Sequence, residues 1–172
     1  MPSPDSILEE LGAARTDLLR SADGVAPTHW RTSPRAGAWS TGEVIAHLGM
    51  VERTVTGTAG RLLEHPPKHV PFFRRLHRPL AFVSLRIFRV KSPLPLDPAL
   101  LGEKEKMLAE LRLTRERTLA FLSVNRDKDL RAYRWPHPFL GSLNFSEWFL
   151  LLARHEVRHT KQIREIIESL RK

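Results

Sequence analysis

The sequence predicts an all-α fold, a four-helix bundle, from three observations. Four long stretches repeat apolar residues at helical spacing, three of them open on paired cap residues, and no run alternates as a half-buried strand would. A chain of 172 residues suffices for one sizeable core, so residues 1–172 read as a single domain with an insert at about 65–98. No internal repeat or low-complexity tract interrupts it.

The first helix is predicted over Ser6–Arg20, with Ser6 and Glu9 as a capping box and Ile7, Leu8, Leu11, Ala14, Leu18 and Leu19 on one face. Gly24, Pro27 and Pro34 mark the loop that follows, which carries Trp30 and ends at Trp39. Ser40 and Glu43 then form a second capping box, satisfying amides that the first helical turn leaves free. The second helix runs to about Glu64, burying Val44, Leu48, Val51, Val55 and Leu62. His47, three after Val44 and four before Val51, falls on that buried side.

Composition shifts between His65 and Pro98. Seven of the thirteen prolines lie there, so no continuous helix crosses the segment. Leu76, Leu80, Val83, Ile87 and Val90 nevertheless keep helical spacing beside Arg74, Arg75, Arg86 and Arg89, which predicts a short basic amphipathic helix on a long crossover. A connection of that length can return along a whole helix, allowing the second and third helices to run parallel. The third helix is expected over about Leu100–Val124, with Asp97 and Pro98 as start signals and Met107, Leu108, Leu111, Thr118, Leu119 and Leu122 inside. Asn125–Gly141 reads as a loop with some packed residues. The last helix opens at Asn144, paired with Glu147, and Leu143 is placed to staple onto Trp148. Trp148, Leu152, His155, His159, Ile163, Ile166 and Leu170 share one face of it.

His155 and His159 stand four apart, one turn and about 6 Å along the axis, so both imidazoles can converge on one ion. His47, buried on another helix, is the third expected ligand. Isolated histidines on apolar faces are usually core residues with polar partners. Three of them, each costing roughly 1–3 kcal/mol if buried unpaired, favour a shared divalent ion. Three neutral histidines with an open fourth position suit zinc, and nickel, iron or copper also accept imidazole.

His155-Glu156-Val157-Arg158-His159 also matches H-E-x-x-H, the zinc-protease helix in which Glu is the general base. Only thirteen residues follow, none of them a suitably placed third ligand, and the accompanying sheet is not predicted, which disfavours that reading. Glu156 lies about 100° around the helix from His155. It is expected in a surface ion pair, with a proton-shuttle or ligand-supporting role as the alternative. His137 is expected in ordinary loop packing beside Trp135 and Phe139, with a place at the pocket mouth as the alternative. Glu43 is a capping residue, and no catalytic base is assigned.

Trp39-Ser40-Thr41-Gly42-Glu43-Val44-Ile45-Ala46-His47-Leu48 resembles the start of the second helix in DinB/YfiT-like proteins. His137-Pro138-Phe139-Leu140-Gly141-Ser142-Leu143, Glu147-Trp148 and His155-x3-His159-x2-Gln162-Ile163 resemble their last-helix region. The resemblance spans nearly the whole chain. It implies an up-down-down-up bundle, often dimeric, with a three-histidine divalent-metal site at His47, His155 and His159. It further implies a metal-dependent hydrolase or thiol-dependent S-transferase acting on a small molecule, zinc or nickel as the metal, and a low-molecular-weight thiol as possible cosubstrate.

Composition bounds the alternatives. Zero cysteines exclude disulfides and thiolate ligands, and no apolar run approaches the roughly 20 residues of a membrane-spanning helix. The acidic start MPSPDSILEELG lacks a signal-peptide layout, so the cytoplasm is the expected compartment. Net charge is +9, and seven basic residues against Asp97 alone put two thirds of it between His65 and Pro98. Phe72, Phe73, Phe82 and Phe88 interleave with those arginines. The alternative function is therefore a non-catalytic binding protein whose insert contacts nucleic acid or an anionic membrane. A metal that only braces the bundle is a third reading.

Overall fold

The computed structural model describes residues 3–68, 70, 71, 79, 80, 83 and 98–171. It contains α1 (Pro4–Asp23), α2 (Thr41–Leu63), α3 (Lys104–Val124), the strands β1 (Arg134–His137) and β2 (Gly141–Asn144), and α4 (Phe145–Leu170). Short 3-10 turns occupy Pro27–His29, Pro98–Leu100 and Leu130–Ala132. Cross-helix pairs fix the directions. Arg15 meets Glu156 and Asp17 meets Arg164, so α1 and α4 run parallel. Glu52 meets Arg115 and Thr56 meets Thr118, so α2 and α3 also run parallel. Asp5 faces Arg126 while Asp23 faces Arg112, which makes α1 and α3 antiparallel. The order is up-down-down-up.

Capping explains where the helices begin. Ser40 and Glu43 form the expected box on α2, and Asn144 and Glu147 form one on α4. The start of α1 differs from expectation: the Ser3 side chain accepts from the Ser6 amide and Pro4 takes the first turn, where its missing N–H costs nothing. The α-helical part of α3 also starts later, at Lys104, after the 3-10 turn and Gly102. The larger difference lies between Asn125 and Gly141, read as loop. There β1 pairs antiparallel with β2, from Arg134 opposite Asn144 to His137 opposite Gly141. Four-residue strands, one containing Pro136, are too short to show alternation, and Gly141 takes φ 97°, which glycine tolerates. The basic helix expected between Leu76 and Val90, with its arginines and phenylalanines, lies outside the described residues apart from Pro79, Leu80 and Val83. Leu80 is buried in the apolar core and Val83 packs against it.

Two apolar clusters fill the bundle. One gathers Ile7, Leu11, Val55, Phe145, Phe149 and neighbours; the other gathers Leu18, Trp30, Val44, Leu48, Leu111, Ile163 and neighbours. Between them lie four buried charged residues, one per helix: Arg15, Glu52, Arg115 and Glu156. Arg15 donates to Glu156 at 2.5 Å and to Glu52 at 2.6 Å. Arg115 donates to Glu52 at 2.7 Å and to Glu156 at 3.0 Å. Each guanidinium also donates to a helix carbonyl opposite, Arg15 to Leu111 and Arg115 to Leu11. Burial pushes the Glu52 carboxyl up, but Arg115, Arg15 and Thr118 outweigh it and hold it below the ordinary value. Burial lowers the Arg115 value, and Glu156 and Glu52 more than restore it.

Glu52→Gln leaves two buried guanidiniums sharing one carboxylate and is expected to cost about 3–5 kcal/mol in urea unfolding. Because the folded value of Glu52 is depressed, its stabilisation is complete above the unfolded carboxylate range and is lost as pH falls through the folded value. Acid titration followed by circular dichroism therefore shows unfolding below about pH 4, and Glu52→Gln flattens that limb.

Candidate metal centre

Three of the expected site residues come together. His47 lies in the second turn of α2, just inside the Ser40–Glu43 cap, and His155 and His159 lie on adjacent turns of α4. Their ligand nitrogens all lie within 4.8 Å of one another. His155 Nε2 is 3.4 Å from His47 Nε2 and 3.1 Å from His159 Nε2. The rings stand edge to face, with centroids 4.5–5.1 Å apart. Gln162, one turn after His159, places its carbonyl oxygen 2.9 Å from His159 Nδ1. That oxygen only accepts, so the proton is on Nδ1 and the Nε2 lone pair faces the other two rings. The Trp39 indole lies 5.0 Å from the His47 ring and stacks on His159 at 6.3 Å.

Burial disfavours the charged form of His47 and His155. It lowers the His47 value from 6.5 to about 4. It also takes His155 well below the ordinary range, assisted by the charges of His159, His47, Arg158 and His137. Nδ1 of His47 is buried with no hydrogen-bond partner among the described residues. Neutral imidazoles with facing lone pairs are the donor set that divalent ions accept.

The sequence matches the profile of the DinB superfamily over residues 10–163. The chain belongs to the DinB superfamily. YuaE of Bacillus subtilis (strain 168) is 28% identical over 160 residues, covering 91% of this chain and 94% of YuaE. Two solved structures share the fold. TT2238, described as a four-helix bundle protein, superposes with a TM-score of 0.61 at 24% identity, covering 95% of this chain and 99% of its own. YfiT from Bacillus subtilis gives 0.63 at 16% identity, covering 97% and 87%. YfiT is described as a probable metal-dependent hydrolase with an unusual four-helix bundle topology.

Other candidates fall elsewhere in this DinB-superfamily bundle. Glu156 is in an ion pair, as expected, but not at the surface: it is 1% exposed and its oxygens are engaged by Arg15 and Arg115. Facing that network rather than the histidines, it is not placed as the general base that the H-E-x-x-H reading requires. Glu43 caps α2. His137 ends β1 and packs against Phe139 and Trp148, close to its expected setting. Sequence reasoning missed Arg15, Glu52 and Arg115. Their signal was a charge inside an apolar stripe, Arg15 being four after Leu11 and three before Leu18.

In metal-free protein, NMR titration is expected to keep His47 neutral down to about pH 4. Between 6.5 and 4 the unfolded chain takes up a proton that folded His47 refuses. Metal-free protein therefore loses stability, by up to roughly 3 kcal/mol, as pH falls through that window.

Proposed function

We propose that this DinB-superfamily protein holds one divalent ion with His47, His155 and His159, and uses it to act on a small molecule as a hydrolase or thiol-dependent S-transferase. One observation carries the reading: the spacing of the three nitrogens. Metal–nitrogen bonds of 2.0–2.1 Å at tetrahedral angles separate neighbouring donors by about 3.3 Å. The Nε2 separations of 3.1 and 3.4 Å are close to that value. With protons in place of an ion, three converging nitrogens have no arrangement that satisfies every pair. The metal-dependent description of YfiT supports the same reading.

Zinc or nickel suits three imidazoles. Bound there, the ion would supply Lewis acidity, polarising a carbonyl or making a water or thiol more acidic. The chain's own residues do the remaining work. Gln162 orients His159, and the Trp39 ring walls one side of the triad. Among the described residues no carboxylate joins the histidine cluster, which leaves coordination open to substrate or a thiol cosubstrate.

Elemental analysis of protein purified without chelator tests this directly. Near-stoichiometric zinc or nickel is expected, lost in both His47→Ala and His159→Ala, with added metal raising the melting temperature of the parent alone. Screens of hydrolase and thiol-conjugation substrates on loaded protein then distinguish the two activities. A parent that neither contains nor takes up metal overturns the proposal.

A further inference from the structure

The turn that joins β1 to β2 fixes the protonation of a fourth histidine. His137 Nδ1 accepts from two backbone amides, Phe139 at 3.1 Å and Leu140 at 3.2 Å. A nitrogen that accepts has no proton, so the neutral ring carries its proton on Nε2. The ring rests on Trp148, with centroids 5.2 Å apart, and Trp148 Nε1 is itself anchored to the Trp135 carbonyl at 3.2 Å. Trp135 stacks on the other indole at 5.0 Å, so the platform under His137 is rigid.

Trp148 precedes His155 by seven residues, two turns along the same face of α4, or about 10 Å. His137, resting on Trp148, thus sits on the triad's side of α4. It is half-buried, and nothing hydrogen-bonds its Nε2 among the described residues.

We infer that His137 is a substrate-positioning residue whose fixed Nε2–H donates to an oxygen acceptor on the substrate, a carboxylate or carbonyl, roughly two helical turns from the atom held at the metal centre. The inference deepens the proposed function and rests on it. The substrate class it defines is a small molecule with two polar ends and an apolar middle. A purely structural His137 would do no more than cap its turn, as an Asn side chain does with the same pair of amides. That difference makes His137→Asn the informative variant, since it keeps an acceptor for the turn and removes the imidazole donor.

The test uses cobalt-loaded protein, with metal content measured first, and calorimetric titration with acetate, hexanoate and adipate. Adipate is expected to bind about tenfold tighter than hexanoate, the gain of one hydrogen bond to a charged acceptor. His137→Asn reduces adipate to the level of hexanoate and leaves acetate unchanged. Equal binding of adipate and hexanoate by the parent, or a tenfold gap that survives in His137→Asn, overturns the inference while the metal reading stands. Failure to load cobalt overturns both. Independently of metal, nitrogen-15 NMR of the imidazole is expected to show a protonated Nε2 and a bare Nδ1 at neutral pH, and the reverse tautomer excludes the role.

Discussion

Arg15, Glu52, Arg115 and Glu156 form a ring of alternating charge at mid-height in the bundle, with one member from each helix. Removing four charges from water costs several kcal/mol per ion, and it is tolerated because every guanidinium bridges both carboxylates and the ring is neutral overall. Its geometry is more demanding than an apolar contact. A helix sliding by one turn would carry its charge about 5 Å into the leucines and phenylalanines of a neighbouring layer. The ring therefore sets the relative height of all four helices. Glu156 directly follows His155, and Glu52 comes five residues after His47, so the height that the ring dictates is also the height at which the histidines meet.

The parts of this arrangement visible in the sequence have local causes. Both capping boxes, the buried face of each helix and the inward placement of His47, His155 and His159 follow from spacing within one helix. The up-down-down-up order followed from the family resemblance, with the long crossover making parallel α2 and α3 possible. The ring was not visible, because opposite charges far apart in sequence give no local sign of pairing, and a single charge in an apolar stripe reads as its edge. The hairpin escaped because its strands are held by pairing with each other and by packing on Trp148, not by an alternating pattern. Glu156 was judged from its angle around α4, which places it correctly beside His155. That angle carries no information about the arginines approaching from α1 and α3.

The segments leading into α2 and α4 do similar work. In the first turn of α2, the amide of Gly42 donates to the Trp30 carbonyl at 2.9 Å, an approach so close that a side chain at position 42 would meet the indole at 3.0 Å. At the first residue of α4, the Phe145 amide donates to the Tyr133 carbonyl at 3.0 Å. Each segment then seats a ring on the bundle, Trp39 from the first beside His47 and His159, and His137 from the second on Trp148. The triad thus has stiff surroundings although those surroundings come from connections between helices.

These correspondences are those of an approximate two-fold axis relating α1 and α2 to α3 and α4. Arg15 reaches the carbonyl of Leu111 and Arg115 that of Leu11; Ser40, Glu43 and Glu52 correspond to Asn144, Glu147 and Glu156 at one constant offset. No repeat is visible in the sequence because only the caps and charges are shared. The same offset takes His47 to Leu151, His155 to Val51 and His159 to Val55, all within or against one apolar cluster. One fold thus makes the same helix contact twice, once with aliphatic side chains and once with imidazoles. Where the aliphatic version already closes α2 against α4, packing alone gives no reason for histidine at the three equivalent positions.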